Sequence, residues 1–278
     1  MKIRFGYDIT YNAAINTPMV VLLSAQPNVR QRILQADTMT LEPALPAATY
    51  IDAFGNTCTR FICSPGVVRL RADGIVEDSG IPEPAVWDAP EVPVPSLPPD
   101  TLVYLLGSRY CETELLMEEA WRLFGHFAPG WGRVQAICDH VNQHVTFGYQ
   151  YAHCTKTAHQ TWLQRSGVCR DMAHLAITFC RCLNIPARYC TSYLGDIGVP
   201  PVNAPMDFAA SMEVYLGGSW HSFDPRNNAR RIGRLLIARG RDAADAAFST
   251  AFGSSSLQSF RVWTDEIREP SSVGFVTA

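Results

Sequence analysis

Apolar and polar residues alternate strictly from Lys2 to Tyr11. A period of two is typical of a β-strand with one buried face. Short apolar runs predict four further strands, at 19–23, 49–51, 57–63 and 67–70. Phe54-Gly55-Asn56 supplies a turn between two of them. We therefore expect residues 1–81 to form an all-β domain that resembles a small sandwich.

Seven prolines fall between Pro82 and Pro99. This density excludes regular helices and strands and favours an extended, semi-rigid segment. We predict a connector at 82–100 between the amino-terminal domain and a second domain at 101–278. The alternative is a long loop that packs over a single domain.

The pattern changes after the connector. Apolar residues recur every three or four positions and predict helices at 111–124, 132–144, 157–164 and 169–183. A strand at 186–194 and a hairpin turning at Gly217-Gly218 follow, because two glycines permit the positive φ of a tight turn. Helices followed by strands predict an α+β fold.

Cys169 lies in the first turn of the fourth helix, directly after Ser166-Gly167. Unpaired backbone N–H groups and the positive end of the helix dipole meet at such a position. We expect them to lower the pKa of the thiol and to stabilise an oxyanion. Cys169 is therefore a candidate nucleophile. The alternative is a small, buried apolar residue.

A nucleophilic cysteine needs a base and a residue that orients this base. Asp224 is a candidate for the orienting role. With the turn at Gly217-Gly218, positions 209, 211, 213 and 215 share the face of Asp224, and none holds a histidine. His221 lies on the opposite face and reaches Asp224 only if a bulge shifts the register.

The second half of the chain carries several recognisable motifs. They are Gly167-Val168-Cys169-Arg170-Asp171-Met172-Ala173-His174-Leu175, Ile185-Pro186-Ala187-Arg188-Tyr189, Met206-Asp207-Phe208 before Glu213-Val214-Tyr215, Phe223-Asp224-Pro225-Arg226-Asn227 and Ile237-Ala238-Arg239-Gly240-Arg241-Asp242. Together with Asp52-Ala53-Phe54-Gly55-Asn56 in the first domain, they resemble the bacterial transglutaminase-like superfamily of the cysteine protease type.

The resemblance implies a papain-like core in which Cys169 is the nucleophile and Asp224 is the triad acid. It also implies that the histidine of the family aligns with Ala209, so the triad is incomplete. His221 is the best substitute base. His174, five residues along the helix, is turned about 140° away from Cys169. We expect His174 to form hydrogen bonds within the fold, and we expect His153 and His159 at the surface.

Four residues are predicted to contact substrate. Asp207 and Glu213 share the face of Asp224 and would form an acidic cluster that binds a cation or supplies a base. The alternative is that Glu213 pairs with an arginine. Tyr149 and Trp220 are predicted to line the cleft, with core packing as the alternative.

Five arginines crowd a short stretch after the hairpin: Arg230, Arg231, Arg234, Arg239 and Arg241. They would bind a carboxylate or phosphate, or else they form a solvated face and pair with acidic groups.

The composition narrows the function further. A net charge of −3 with 47% hydrophobic residues gives no electrostatic reason to bind nucleic acid or a membrane. Nine cysteines without a Cys-x-x-Cys pair indicate reduced thiols and no zinc site. The first residues contain no continuous apolar run typical of a secretion signal, and no apolar run reaches transmembrane length, so a cytoplasmic location is expected. We predict no metal and no cofactor.

These observations favour a thiol-dependent amide-processing enzyme: a peptidase, amidase or acyl transferase that works through a thioester on Cys169. Its expected partner is a peptide or protein substrate. The alternative is a non-catalytic domain that binds a peptide or protein in the retained cleft. The sequence predicts no particular oligomeric state.

Overall fold

The computed structural model describes residues 1–28, 31–202 and 205–268. The amino-terminal part contains seven strands: β1 (Lys2–Ala13), β2 (Thr17–Val21), β3 (Gln31–Gln35), β4 (Thr40–Glu42), β5 (Ala47–Ile51), β6 (Thr57–Cys63) and β7 (Gly66–Asp78). The predicted strands are all present. The short strands β3 and β4 were not predicted, since neither presents a buried apolar face.

These strands form two antiparallel sheets. With β14 (Ser249–Ala251) and β15 (Ser255–Ile267) from the end of the described chain, the order in one sheet is β15-β1-β7-β3, with β4 also paired to β7, and the order in the other is β14-β2-β6-β5. Alternate side chains of β1 point inward, and Phe5 and Ile9 are fully buried. They share one apolar core with Met19 and Phe61 of the second sheet. The β-sandwich character expected of this region is present.

Two of the strands come from the carboxy-terminal end of the chain. The sequence pattern assigns residues 101–278 to the second domain, but β14 (Ser249–Ala251) pairs with β2, and β15 (Ser255–Ile267) pairs with β1 along its whole length. The sheets that residues 1–81 were expected to build alone are therefore completed by residues 249–267. The periodicity of the sequence does not show which distant strand will pair with a given strand.

The proline-rich segment contains no strand or α-helix, but it does not behave as a free spacer. Trp131 N–H donates to Ala89 O (3.0 Å), and Gly217 N–H donates to Pro90 O (2.8 Å). Glu91 accepts hydrogen bonds from Gly130 N–H and the Arg133 guanidinium. The segment therefore packs across the second domain, as the alternative reading of the prolines expects.

The second domain is the predicted α+β core. Its helices are α1 (Thr113–Phe124), α2 (Trp131–His144), α3 (Ala158–Gln164) and α4 (Cys169–Cys182), and short strands β8 (Thr146–Phe147) and β9 (Ser166–Gly167) pair in parallel. Helix α4 packs against an antiparallel sheet of order β12-β11-β10-β13. The strands are β10 (Ala187–Tyr193), β11 (Ala209–Leu216), β12 (Ser219–Phe223) and β13 (Leu235–Gly240).

The hairpin has the predicted register. Glu213 lies opposite Ser222, and Val214 lies opposite His221. Gly217 and Gly218 have φ of 57° and 86°, the left-handed conformation that a two-residue turn requires. None of the helices in the described ranges is long and apolar enough to cross a membrane.

Candidate active site

The start of helix α4 fixes the position of the Cys169 thiol. The Asp171 carboxylate accepts a hydrogen bond from Val168 N–H (3.0 Å), which caps the helix, and it also pairs with Arg170. A side chain at position 167 would meet this carboxylate, because a Cβ there would lie 2.8 Å from Asp171 Oδ2. The Gly-Val-Cys-Arg-Asp motif thus caps helix α4 and places Cys169 at its first residue.

Cys169 opens into a cleft of about 120 Å³ between helix α4 and the segment that leads into β11. The half-buried thiol accepts a hydrogen bond from Ala210 N–H. The N–H groups of Cys169 and Arg170 have no acceptor in the described ranges, as expected in a first helical turn. The other polar side chains that line the cleft are those of Tyr149, Asp196, Asp207, Arg226 and Arg231.

The thiol is not activated in the way that its helical position suggests. Burial raises the pKa of Cys169 above its ordinary value, and the nearby charge of Asp207 adds to the rise. The Ala210 amide and the Arg226 guanidinium act in the opposite direction without reversing the shift. The expectation of a lowered thiol pKa is therefore corrected, because loss of hydration outweighs the helix terminus.

Asp224 is buried and ionised, but its carboxylate is engaged in an ion cluster. Arg234 Nη2 donates to Oδ2 (2.6 Å), and Asn227 donates to both oxygens. Arg234 also pairs with Glu83 of the proline-rich segment (2.8 Å). Burial alone would raise the pKa of Asp224, yet Arg234 and Asn227 hold this pKa below its ordinary value. The carboxylate therefore balances a buried guanidinium.

Position 209 lies where the family pattern expects a histidine. Ala209 lines the same cleft as Cys169. An imidazole at this position would therefore enter the space beside the thiol. The family resemblance points to this position, and in this chain it carries only a methyl group.

The structure does not bring His221 to the thiol. His221 lies opposite Val214, its Nε2 is 3.1 Å from Leu216 O, and its ring packs against Trp131. It is not among the residues that line the cleft. His174 is fully buried, accepts a hydrogen bond from Ala243 N–H and stacks on Tyr110. The expected hydrogen bond of His174 within the fold is present.

Only two of the four predicted substrate contacts lie at the cleft. Tyr149 and Asp207 line it. Glu213 pairs with Arg188 and Arg239, as the alternative for this residue expects. Trp220 lies under the Arg188 guanidinium at 3.9 Å in the same cluster. Glu213 and Trp220 are on the sheet face opposite helix α4, because the Tyr189 ring on the other face contacts His174 of the helix.

Sequence reasoning missed the roles of Arg226 and Glu83, whereas Arg234 pairs with acidic groups as one alternative for the arginine-rich stretch expects. Arg226 stands within the Phe223-Asp224-Pro225-Arg226-Asn227 motif, which marked the region without revealing that the guanidinium lines the cleft. The sequence did not indicate a buried role for Glu83, because a glutamate within a proline-rich segment is expected to be exposed to solvent. Its partner Arg234 is 151 residues away in the sequence.

The fold and the site define a papain-like α+β core with a cysteine at the start of a buried helix. Residues 127–225 match the family model of the Transglutaminase-like superfamily. The chain is 30% identical to the "Putative Cysteine Protease from Cytophaga hutchinsonii", whose crystal structure superposes with a TM-score of 0.83 and covers 97% of this chain and 92% of its own.

Two mycobacterial proteins match this chain over about four fifths of its length. An uncharacterized protein of Mycobacterium leprae is 24% identical over 250 residues, which is 81% of this chain and 82% of that protein. One from Mycobacterium tuberculosis is 27% identical over 247 residues, with 80% and 77% covered. The chain belongs to the transglutaminase-like superfamily.

Proposed function

We propose that the protein is a thiol-dependent amide-processing enzyme in which Cys169 forms a thioester and the triad lacks its histidine. The observation that carries the proposal is the position of Cys169 at the start of α4, open to a cleft that also contains Asp207 and position 209. A peptide or protein amide is the proposed substrate. Nothing in this mechanism requires a metal or a cofactor.

The proposed reaction begins with attack of the Cys169 sulfur on an amide carbonyl. The thiol proton passes to the Asp207 carboxylate as the S–C bond forms, and the free N–H groups of Cys169 and Arg170 stabilise the oxyanion. Asp207 then gives the proton to the leaving amine as the C–N bond breaks. Water, or a second amine in an acyl transfer, attacks the thioester and regenerates the thiol.

Asp207 is the proposed base because it lines the cleft, its charge acts on the thiol, and it has no arginine partner among the described residues. Loss of hydration raises the pKa of Asp207 above its ordinary value, which brings this carboxyl closer in proton affinity to the thiol. A carboxylate remains a weaker base than imidazole. We therefore expect slower turnover than in a complete Cys-His-Asp enzyme.

A second candidate function is a binding domain without catalysis. It is favoured by the methyl group at position 209 and by the engagement of Asp224 with Arg234. In this case the cleft would hold a peptide or protein without cleaving it.

Acyl transfer from 4-nitrophenyl acetate tests the enzyme proposal. We expect intact-mass spectrometry to detect an acyl adduct that Cys169→Ser abolishes and Cys154→Ser, at an exposed thiol, retains. Ala209→His should speed nitrophenolate release roughly a hundredfold, the contribution of a positioned base. Adding Cys169→Ser to the Ala209→His variant must abolish this increase in the rate of nitrophenolate release. An adduct in Ala209→His but none in the natural chain would establish the binding domain.

A further inference from the structure

The cleft beside Cys169 has a guanidinium in its interior. Arg231 lines the cleft yet is only 7% exposed. Its Nη2 donates to Gly195 O (2.9 Å), whereas the buried Nε has no acceptor in the described part of the chain. The nearest carboxylate oxygen, Asp196 Oδ1, is 3.7 Å from Nη2. A buried cation with unused donors is costly unless an anion completes its surroundings.

The backbone holds this guanidinium in place. Arg231 N–H donates to the Glu83 carboxylate (3.3 Å), and Glu83 N–H donates to Arg231 O (3.0 Å). The guanidinium is therefore positioned before any ligand arrives, which lowers the entropy cost of binding.

A second guanidinium faces the same space. Arg226 lines the cleft and lies over the Phe147 ring at 4.2 Å. Its guanidinium has no hydrogen-bond acceptor among the described residues, and its charge acts on the Cys169 thiol. Two arginine side chains with unused donors thus lie beside the proposed nucleophile.

The acidic groups of the cleft lie nearer to solvent than Arg231 does. Asp196 and Asp207 are both exposed residues. Asp196 accepts a hydrogen bond from Val202 N–H, and Asp207 accepts one from Phe208 N–H. Asp196 forms a long ion pair with Arg231 (3.7 Å), and Asp207 forms no ion pair with Arg226 or Arg231 in the described ranges. Arg231 is therefore more enclosed than either carboxylate of the cleft.

We infer that this cleft selects substrates that carry a carboxylate close to the amide that Cys169 attacks, with Arg231 and Arg226 as its partners. The inference rests on the proposed function, because it places the carboxylate relative to the reacting amide. A planar guanidinium with free donors matches a carboxylate with two parallel hydrogen bonds. The carboxylate belongs either to a carboxy-terminal residue or to an acidic side chain.

Two alkylating reagents test the inference without requiring turnover. Iodoacetate carries a carboxylate next to its reactive carbon, and iodoacetamide carries a neutral amide in the same place. Both react with the thiolate, so the ratio of their rates is independent of the thiol pKa. We expect this ratio to be about tenfold higher at Cys169 than at the exposed Cys154, the effect of one charge-assisted hydrogen bond.

Three variants test whether the arginines cause the preference of Cys169 for iodoacetate over iodoacetamide. Arg226→Met and Arg231→Met should each lower the ratio at Cys169 toward that of Cys154. Arg230→Met is the matched control, because this exposed neighbour lies outside the cleft and should leave the ratio unchanged. If Arg231→Met fails to fold, as circular dichroism would show, Arg226→Met decides the outcome.

The results separate this inference from the proposed function. Equal ratios at the two cysteines, or a high ratio that survives both arginine variants, overturn the carboxylate site and leave the nucleophile in place. A Cys169 that reacts with neither reagent overturns the proposed function. Protection by N-acetylglycine or by N-acetylglutamate α-amide, each compared with neutral N-acetylglycinamide, tells whether the carboxylate is terminal or in a side chain. Protection by neither anion also overturns the site.

Discussion

The partner of a single aspartate decides which mechanism this cleft can support. In a Cys-His-Asp triad the acid accepts a hydrogen bond from the imidazole and holds it toward the sulfur. Here Asp224 balances Arg234, and both are buried. Removal of Arg234 would leave the buried Asp224 carboxylate without its ion-pair partner, which typically costs about 3–5 kcal/mol, whereas Arg234 still pairs with Glu83 when Asp224 is removed. The aspartate therefore has a structural role in addition to any role in catalysis.

The pH dependence of Cys169 alkylation tests the electrostatics at the residue scale. Because burial and Asp207 raise the pKa of the thiol, the midpoint of the iodoacetamide rate should lie above about 8.5, the value of a free thiol. Asp207→Asn removes a negative charge and should lower the midpoint, whereas Arg226→Met should raise it. Rates measured by mass spectrometry across pH give the three midpoints.

Turnover should respond to Asp207→Asn in the opposite sense. The thiolate forms more easily in this variant, but the acceptor for the thiol proton is lost, so acyl transfer slows. Glu213→Gln serves as the control, since Glu213 pairs with Arg188 and Arg239 on the other face of the sheet.

The alkylation experiment also has an outcome that contradicts the burial of Cys169. This outcome is a pH midpoint of the iodoacetamide rate, in the natural chain, that lies below the midpoint of a free thiol.

At the scale of elements, the junction between β9 and α4 is the most tightly specified segment of the site. Strand β9 pairs with β8, Asp171 caps the helix, and Arg170 reaches back to the carbonyl groups of His153 and Cys154. Gly167 is the residue that lets these groups approach each other. The position of the thiol therefore depends on Gly167, Arg170 and Asp171 of one motif.

Gly167→Ala should destabilise the protein, because the added methyl group would lie 2.8 Å from the Asp171 side chain. We expect a loss of about 1–3 kcal/mol, the usual cost of overpacking. Gly132→Ala in helix α2 is the control: its Cβ meets nothing within 4 Å, and alanine favours a helix by up to about 1 kcal/mol. Urea denaturation measures both, and equal stabilities would refute the role of Gly167.

The sequence predicts those elements that are specified by residues close together in the chain. Helices α1 to α4, strand β6 and the Gly217-Gly218 hairpin follow from periodicity, prolines and glycines, and each is present. The family resemblance pointed to position 209, and Ala209 lines the cleft beside Cys169. The bond between Glu83 and Arg234, and the membership of β15 in the first sheet, depend on residues far apart, for which one sequence carries no signal.

At the scale of the whole molecule, the sandwich and the core are joined by specific contacts. Asn56, at the turn between β5 and β6, is fully buried and exchanges two hydrogen bonds with the backbone of Arg239 in β13. Phe5 packs edge-on against Tyr193, whose hydroxyl group donates to Leu23 O. Buried side chains of both units belong to one apolar core. We expect the two units to unfold together.

Strand β15 should therefore determine the stability of the complete molecule. Val262 is buried opposite Tyr7, and Val262→Asp should cost at least about 3 kcal/mol, since it places an unpaired charge in the core. Leu257→Asp, at a half-exposed position of the same strand, should cost about 1 kcal/mol or less.

Circular dichroism and Cys169 alkylation should follow one denaturation curve in both β15 variants. A Val262→Asp protein that loses the sandwich but keeps a protected Cys169 would show that the core is independent.

The pairing of Lys2 with Ile267 also sets an order of events during synthesis. The first strand leaves the ribosome early, but the strand that covers its outer edge follows roughly 250 residues later, on the order of 10–50 s at bacterial rates. For that interval the nascent chain presents an unpaired ribbon of backbone amides beside Phe5 and Ile9. A segment synthesised last thus completes two sheets whose other strands are synthesised first.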